Sequence, residues 1–109
     1  MEKSFYTALL NSMKDPILVA DTNHIVQYMN NATIKHYDEG KSLLQSNLLS
    51  CHNEESQKIM IDILAEMQNG LEEKLITDNE KHRIFMRAVR DENGKLIGYF
   101  ERYEPPKNK

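Results

Sequence analysis

Apolar positions change their spacing along this chain, and each change marks an element. Between residues 2 and 13 they recur every four residues, at Phe5, Leu9 and Met13 with Leu10 beside them, which is the spacing of one helical face. Asp15-Pro16 ends that helix, because proline disfavours helical geometry in the residue before it. Pro16 to Ala20 reads as a short apolar strand, Asp21-Thr22-Asn23-His24 as a turn, and Ile25 to Met29 as the returning strand. Strict alternation puts Ile25, Gln27 and Met29 on one side and Val26 and Tyr28 on the other. Asn30 or Asn31 caps a short helix over residues 32–37, and Gly40 closes it.

Residues 41–52 predict one or two short helical turns carrying Leu43, Leu44, Leu48 and Leu49, broken at Ser46-Asn47. Asn53 reads as the N-cap of a longer helix, with Glu54 and Glu55 where the helix dipole favours acids, and Asn69-Gly70 as its stop. Met60, Ile63, Leu64 and Met67 form one face of it, widened by Ile59 and Ile61. Alternation of period two returns over Leu71 to Thr77, with Leu71, Glu73, Leu75 and Thr77 on one side, and the polar members imply a half-exposed strand. After a turn at 78–81 comes the last hairpin, His82 to Tyr103, with Asn93-Gly94 expected to supply the positive φ angles of a tight turn. An isolated hairpin is marginal in water, so the remaining elements must cover it. The order (helix, two strands, short helices, one longer helix, three strands) predicts an α+β fold on an antiparallel sheet. If both halves join in one sheet, the helices pack on one face and leave a hollow between.

Composition narrows the function classes. A chain of 109 residues is one domain, and 39% hydrophobic with 28% charged residues describes a globular chain. The net charge of −3 argues against nucleic acid as a partner, since phosphate binding needs a basic face. No apolar run is long enough to span a membrane. Cys51 is the sole cysteine, so no intramolecular disulfide forms, which fits a reducing, cytoplasmic setting.

The element order and several local strings resemble the PAS family of sensory modules. Asp15-Pro-Ile-Leu-Val-Ala-Asp21 is similar to the family's first strand and turn, and Ile25 to Asn30 with Ala32 to its second strand and first short helix. Gly40-Lys41-Ser42-Leu43-Leu44 resembles its glycine entry to the next helical segment, and Asp91-Glu-Asn-Gly94 with Lys95 to Tyr99 its closing hairpin. The resemblance implies a five-stranded antiparallel sheet of strand order 2-1-5-4-3, with helices over one face. It divides the chain into an N-terminal amphipathic helix at 1–14, a PAS domain at 15–104 and a polar tail at 105–109. It also implies a bacterial-type module that binds a small ligand or a partner protein and relays a packing change, with no output domain in this chain. Met1 suits a natural start, and Pro105-Pro106 a place where a linker begins.

Several residues are candidates for the working site, each with a plainer role beside it. Met29, Met60, Met67 and Met86, with Ile63 and Leu64, are adaptable side chains that can line a ligand pocket or simply fill a core. Cys51 and His52 offer the soft ligands that iron takes, which makes a haem-based redox or gas sensor the first alternative. Their plainer roles are a loop hydrogen bond and a small buried hydrophobe. Flavin photochemistry is not expected, because Leu49-Ser-Cys51-His-Asn lacks the Asn-Cys-Arg-Phe context of the family's flavin sensors, and the scattered histidines do not form a zinc set.

Phe5, Leu9 and Met13 are the expected contact of a homodimer. The second alternative is a ligand-free interaction module. Arg83, Arg87, Arg90 and Arg102 can grip an anion, or pair with Glu72, Glu73 or Glu101 across the sheet at roughly 0.2–1 kcal/mol each. Tyr99 and Tyr103 share one face of the last strand, and exposure there would mark a partner surface. Catalysis has little support, since it would need convergent polar groups in a cleft: Ser50, Cys51 and His52 are adjacent and diverge, and no glycine-rich phosphate loop is present.

Overall fold

The computed structural model describes residues 3–36 and 44–106, apart from the side chains of Lys3, His36 and Cys51. The elements are α1 (Lys3–Ser12), β1 (Ile17–Asp21), β2 (Val26–Met29), α2 (Asn31–His36), a 3₁₀ turn (Leu48–Cys51), α3 (Glu54–Gln68), β3 (Glu73–Asp78), β4 (Arg83–Arg90) and β5 (Leu96–Glu104). The five strands form one antiparallel sheet in the order β2-β1-β5-β4-β3. The last strand therefore lies at the centre and joins the two halves of the chain. The expected Gly40 stop, and the Leu43 end of the short helical region, lie outside the described residues.

Caps fall where the side chains can reach orphan amides. Asn53 Oδ1 accepts from Ser56 N at 2.8 Å and starts α3, and Asn47 Oδ1 accepts from Leu49 N at 2.9 Å and starts the 3₁₀ turn. At the other end of α3, Arg90 Nη2 donates to Met67 O at 2.6 Å and Leu71 O at 3.2 Å. This puts a guanidinium at the negative end of the helix dipole.

Two details depart from simple alternation. The β1–β2 register slips, so that Val19 faces Tyr28 while Ala20 faces Val26. Gln27 is the extra residue of this bulge, and Val26 joins Met29 on the buried side instead of opposing it. A second bulge at Ile76 separates Leu75↔Phe85 from Thr77↔Ile84 on β3. The closing turn is also different from a two-residue Asn-Gly turn. Gly94 alone of the pair has positive φ, at 83°, and Gly94 N donates to Asp91 O at 3.0 Å while Asp91 N donates to Lys95 O at 2.9 Å.

The core lies between α3 and one face of the sheet. Leu18, Ala20, Val26, Met29, Met86 and Tyr99 of the strands meet Met60, Ile63, Leu64 and Met67 of α3, with Leu48 from the 3₁₀ turn. Burying one such Leu or Met side chain contributes about 2 kcal/mol. The free edge of β2 is laced by the loop before α3: Val26 N donates to Ser46 O, and Gln45 N to Val26 O, both at 2.9 Å.

The opposite face of the sheet is held by ion pairs. Glu73 receives Arg102 Nη2 at 2.8 Å and Arg87 Nη1 at 3.4 Å. Glu104 receives Arg83 at 3.3 Å and also pairs with Arg102. The guanidiniums of Arg83 and Arg102 lie 5.1 and 4.2 Å from the Phe85 ring centroid, in cation–π contact. On the helix side, Arg90, which caps α3, also takes Glu72 at 2.7 Å. Glu101, expected among these partners, points to the other face, and Glu104 stands in its place.

Candidate functional site: the inner face of the sheet

Alternation along β5 puts Tyr99, Glu101 and Tyr103 on the helix-covered face and Phe100 and Arg102 on the other. Both tyrosines are buried, so neither gives the exposed aromatic surface that a partner contact there required. Glu101 stands between Leu18 on β1 and Met86 on β4. It is 4% exposed, and no hydrogen bond or ion pair reaches its carboxyl among the described residues. Burial without compensation pushes that carboxyl up to about 7.

Next along the same strand, the Tyr99 hydroxyl lies 2.8 Å from His24 Nδ1, and the rings meet edge to face. Burial, with the nearby Glu101 and Asp21 charges adding to it, raises the Tyr99 phenol above its usual range. Burial lowers the His24 imidazole, and Asp21 opposes that shift. His24 holds the inner face to the loop leading into α3, because its carbonyl accepts from Leu48 N at 2.7 Å.

Asn30 ties this face to the N-terminal helix. Fully buried, it accepts at Oδ1 from Ile17 N and Thr33 N, each at 3.0 Å, and so caps α2. Its Nδ2 donates to Leu10 O and Asp15 O, both at 3.0 Å. The Thr33 hydroxyl lies 2.7 Å from Asn30 Oδ1 and 2.8 Å from Ile17 O and donates to one of them. Asn11 Oδ1 accepts from Tyr28 Oη and Asn31 N, each at 2.9 Å. The last turn of α1 is thereby fastened to β1, β2 and α2.

Of the residues expected to line a pocket, Met29, Met60, Ile63, Leu64, Met67 and Met86 come together in the one buried cluster. His52 sits at its margin, where Nδ1 lies 3.1 Å from Leu48 O. Cys51 contributes its backbone to the 3₁₀ turn. The cleft beside His52 is lined by Ser56, Ile59, Met60, Ile76 and Thr77 and measures about 70 Å³. A flat macrocycle needs a pocket of several hundred Å³. His52 could present its second nitrogen to a metal, but this cleft does not fit haem. Among the described residues no three His, Cys, Asp or Glu side chains gather as a metal set, and no helix is long and apolar enough to cross a membrane.

Phe5, Leu9 and Met13 lie on the outer side of α1 and its end, 55%, 47% and 41% exposed. Sequence reasoning did not single out Glu101, His24 and Asn30 as the buried polar groups of the inner face. Its one usable signal was the Tyr99-x-Glu101-x-Tyr103 spacing, which puts a carboxyl on the same face as two aromatics.

Solved structures with this architecture include the C-terminal domain of a protein from Streptococcus mutans (TM-score 0.81, 18% identity, covering 99% of this chain and 87% of that one). A PAS domain from Colwellia psychrerythraea superposes with TM-score 0.71 at 9% identity over 97% of this chain and 98% of its own. The Aer2 receptor from Vibrio cholerae, a dual PAS-haem oxygen sensor, gives TM-score 0.62 at 18% identity over 84% and 93%. No protein-family model and no curated protein matches the sequence. The fold is the PAS fold, with the strand order expected from the resemblance.

Proposed function

We propose that this chain is a cytoplasmic sensory and signal-relay module rather than an enzyme. A small ligand or a partner protein engages the inner-face cluster around Met29, Met60, Ile63, Leu64, Met67 and Met86, and the change in packing passes to α1. The Asn30 junction carries this reading. One buried side chain bonds to Leu10 O, Asp15 O, Ile17 N and Thr33 N, so α1, β1 and α2 share a single fastening. The relay is a population shift: whatever binds one packing of the inner face better also selects the matching pose of α1.

The receiving surface is a second copy of the chain, docked through Phe5, Leu9 and Met13. These side chains form a continuous exposed stripe on an element already fastened to the core. Met13 also borders an open cleft of about 460 Å³ with Pro16, Ile17, Phe100 and Arg102, which offers a seat for a partner side chain. Sedimentation equilibrium tests the pairing. Dimers that dissociate on Leu9→Glu are expected; a wild-type chain that stays monomeric at high concentration, unchanged by Leu9→Glu, overturns it.

A further inference from the structure

Glu101 sits on the central strand, on the sheet face that carries the core, between Leu18 and Met86 of the cluster that includes the α3 residues. Across the sheet it faces Leu18 and Met86, and α3 turns Met60, Ile63, Leu64 and Met67 towards the same core. None of these can neutralise or solvate a carboxylate. Among the described side chains, α2 and its cap contribute the uncharged Asn30 and Thr33 here, whose polar atoms are engaged with each other and with backbone. Among the described residues, the titratable groups of this region are Tyr99 and Tyr103 on its own strand, His24 bonded to Tyr99, and Asp21 at the end of β1. His82 meets Tyr103 edge to face, with ring centroids 5.2 Å apart. Among the described residues no lysine or arginine pairs with Glu101; Arg83, Arg87 and Arg102 bond to acids on the opposite face.

A buried ionised carboxylate without a partner is too costly to persist, and the group either keeps its proton or draws water in. The closed core therefore accepts the neutral acid, and the charged form favours a core opened to solvent. Such opening has a short route outward. Glu101 faces Leu18, the next residue Ile17 bonds to Asn30, and Asn30 bonds to Leu10 in α1.

We propose that the input of this module is the proton, read by Glu101: the protonated side chain keeps α3 closed on the sheet, and its ionisation loosens that contact and releases α1. The proposal rests on the sensory reading and names its input. The chemistry is one reversible step, loss of the carboxyl proton to water, and needs no other reactant. Burial brings the transition to about pH 7, within the range a cell can cross.

The test is a carbon-detected NMR titration of the full chain with labelled glutamate, from pH 4 to 9, alongside amide hydrogen exchange at pH 6 and pH 8.5. One glutamate carboxyl is expected to titrate near neutrality, and its signal to be absent in Glu101→Gln. Exchange in α3 and α1 is expected to speed up at least about tenfold at pH 8.5, beyond the intrinsic pH effect, in the wild type and not in Glu101→Gln.

All glutamates titrating below pH 5.5 overturns the proposal, and the wild-type chain alone decides that point whether or not the variant folds. A neutral-range titration with unchanged exchange in α3 and α1 also overturns it. Leu9→Glu separates the two readings: if it abolishes pairing while the Glu101 titration and exchange response persist, the proton switch stands. Failure of the titration with pairing intact removes the proton and leaves the sensory reading.

Discussion

His24 and Gly94 occupy the same position of the same turn. In Asp21-Thr-Asn-His24-Ile25 and Asp91-Glu-Asn-Gly94-Lys95, the fourth residue donates its amide to the first residue's carbonyl at 3.0 Å. In both, the Asp Oδ1 accepts from the third and fifth amides, at 2.8 and 3.0 Å in one turn and 2.9 and 3.0 Å in the other. Both fourth residues are left-handed, with φ of 63° for His24 and 83° for Gly94. Glycine adopts that geometry freely and histidine does not. His24 holds it while its ring bonds to Tyr99.

The first prediction follows from that contrast. Gly94→Ala adds a Cβ in open space but at an unfavourable φ, and is expected to lower stability by about 1 kcal/mol. His24→Gly relaxes the backbone yet strands the Tyr99 hydroxyl. A double-mutant cycle of His24→Gly with Tyr99→Phe, followed by urea unfolding, is expected to show coupling of about 1 kcal/mol or more. Additive effects would mean that the bond carries no stability.

A different glycine is required for space. A Cβ on Gly98 would run into the Ala20 carbonyl, a backbone atom fixed by the β1–β5 pairing. Gly98→Ala is therefore expected to cost about 2 kcal/mol or more, as overpacking against backbone does. Its thermal midpoint should fall well below that of Gly94→Ala.

Asn30→Ala removes four hydrogen bonds to backbone at one stroke. Leaving buried backbone groups unpaired costs about 1–3 kcal/mol each before water relieves them. The net loss should be at least about 3 kcal/mol by the same rule. Limited proteolysis should cut within residues 3–12 before the sheet unfolds, because the fastening of α1 has gone. Proteolysis that attacks α3 first would contradict the junction.

Glu101 is also expected to shape the pH dependence of folding. Its folded value, about 7, lies above the 4.5 of an unperturbed glutamate, so the stability it allows is fully present below pH 4.5 and falls as pH rises to about 7. The expected fall is about 3 kcal/mol, measured as urea stability against pH. His24 works in the opposite sense: its folded pKa is lowered, so its contribution is present above 6.5 and lost on acidification. Glu73, held low chiefly by the hydrogen bond from Arg102, likewise loses its contribution only as acid protonates it. Glu101→Gln should therefore reverse the slope just below pH 6.5 and be more stable than wild type at pH 8.

What could be read from the residues was periodicity. The four-residue stripe of α1, the Met60–Met67 face of α3 and the order of the strands follow from it, and so does the sheet topology once the family likeness is added. The bulges at Gln27 and Ile76 were hidden, because a bulge shifts the period by one residue without changing composition. The turn at His24 was legible as a turn, but its left-handed residue was not, since histidine carries no glycine signal. Glu101 was hidden for another reason: alternation assigns residues to faces, but β5 has charged residues on both. Which acid faces the arginines depends on where α3 lies, and that contact is set far away in sequence.

The lacing of β2 by residues 45–47 has a consequence for association. A sheet exposes unpaired amides and carbonyls along its two outer strands, and another chain's strand can add there. In this fold the loop before α3 already occupies the β2 border. That leaves β3, where the bulge at Ile76 breaks the row of backbone groups and Lys74 stands exposed in the strand. A visiting strand would find no straight run to zip onto, so the fold guards both borders of its sheet against edge-to-edge polymerisation.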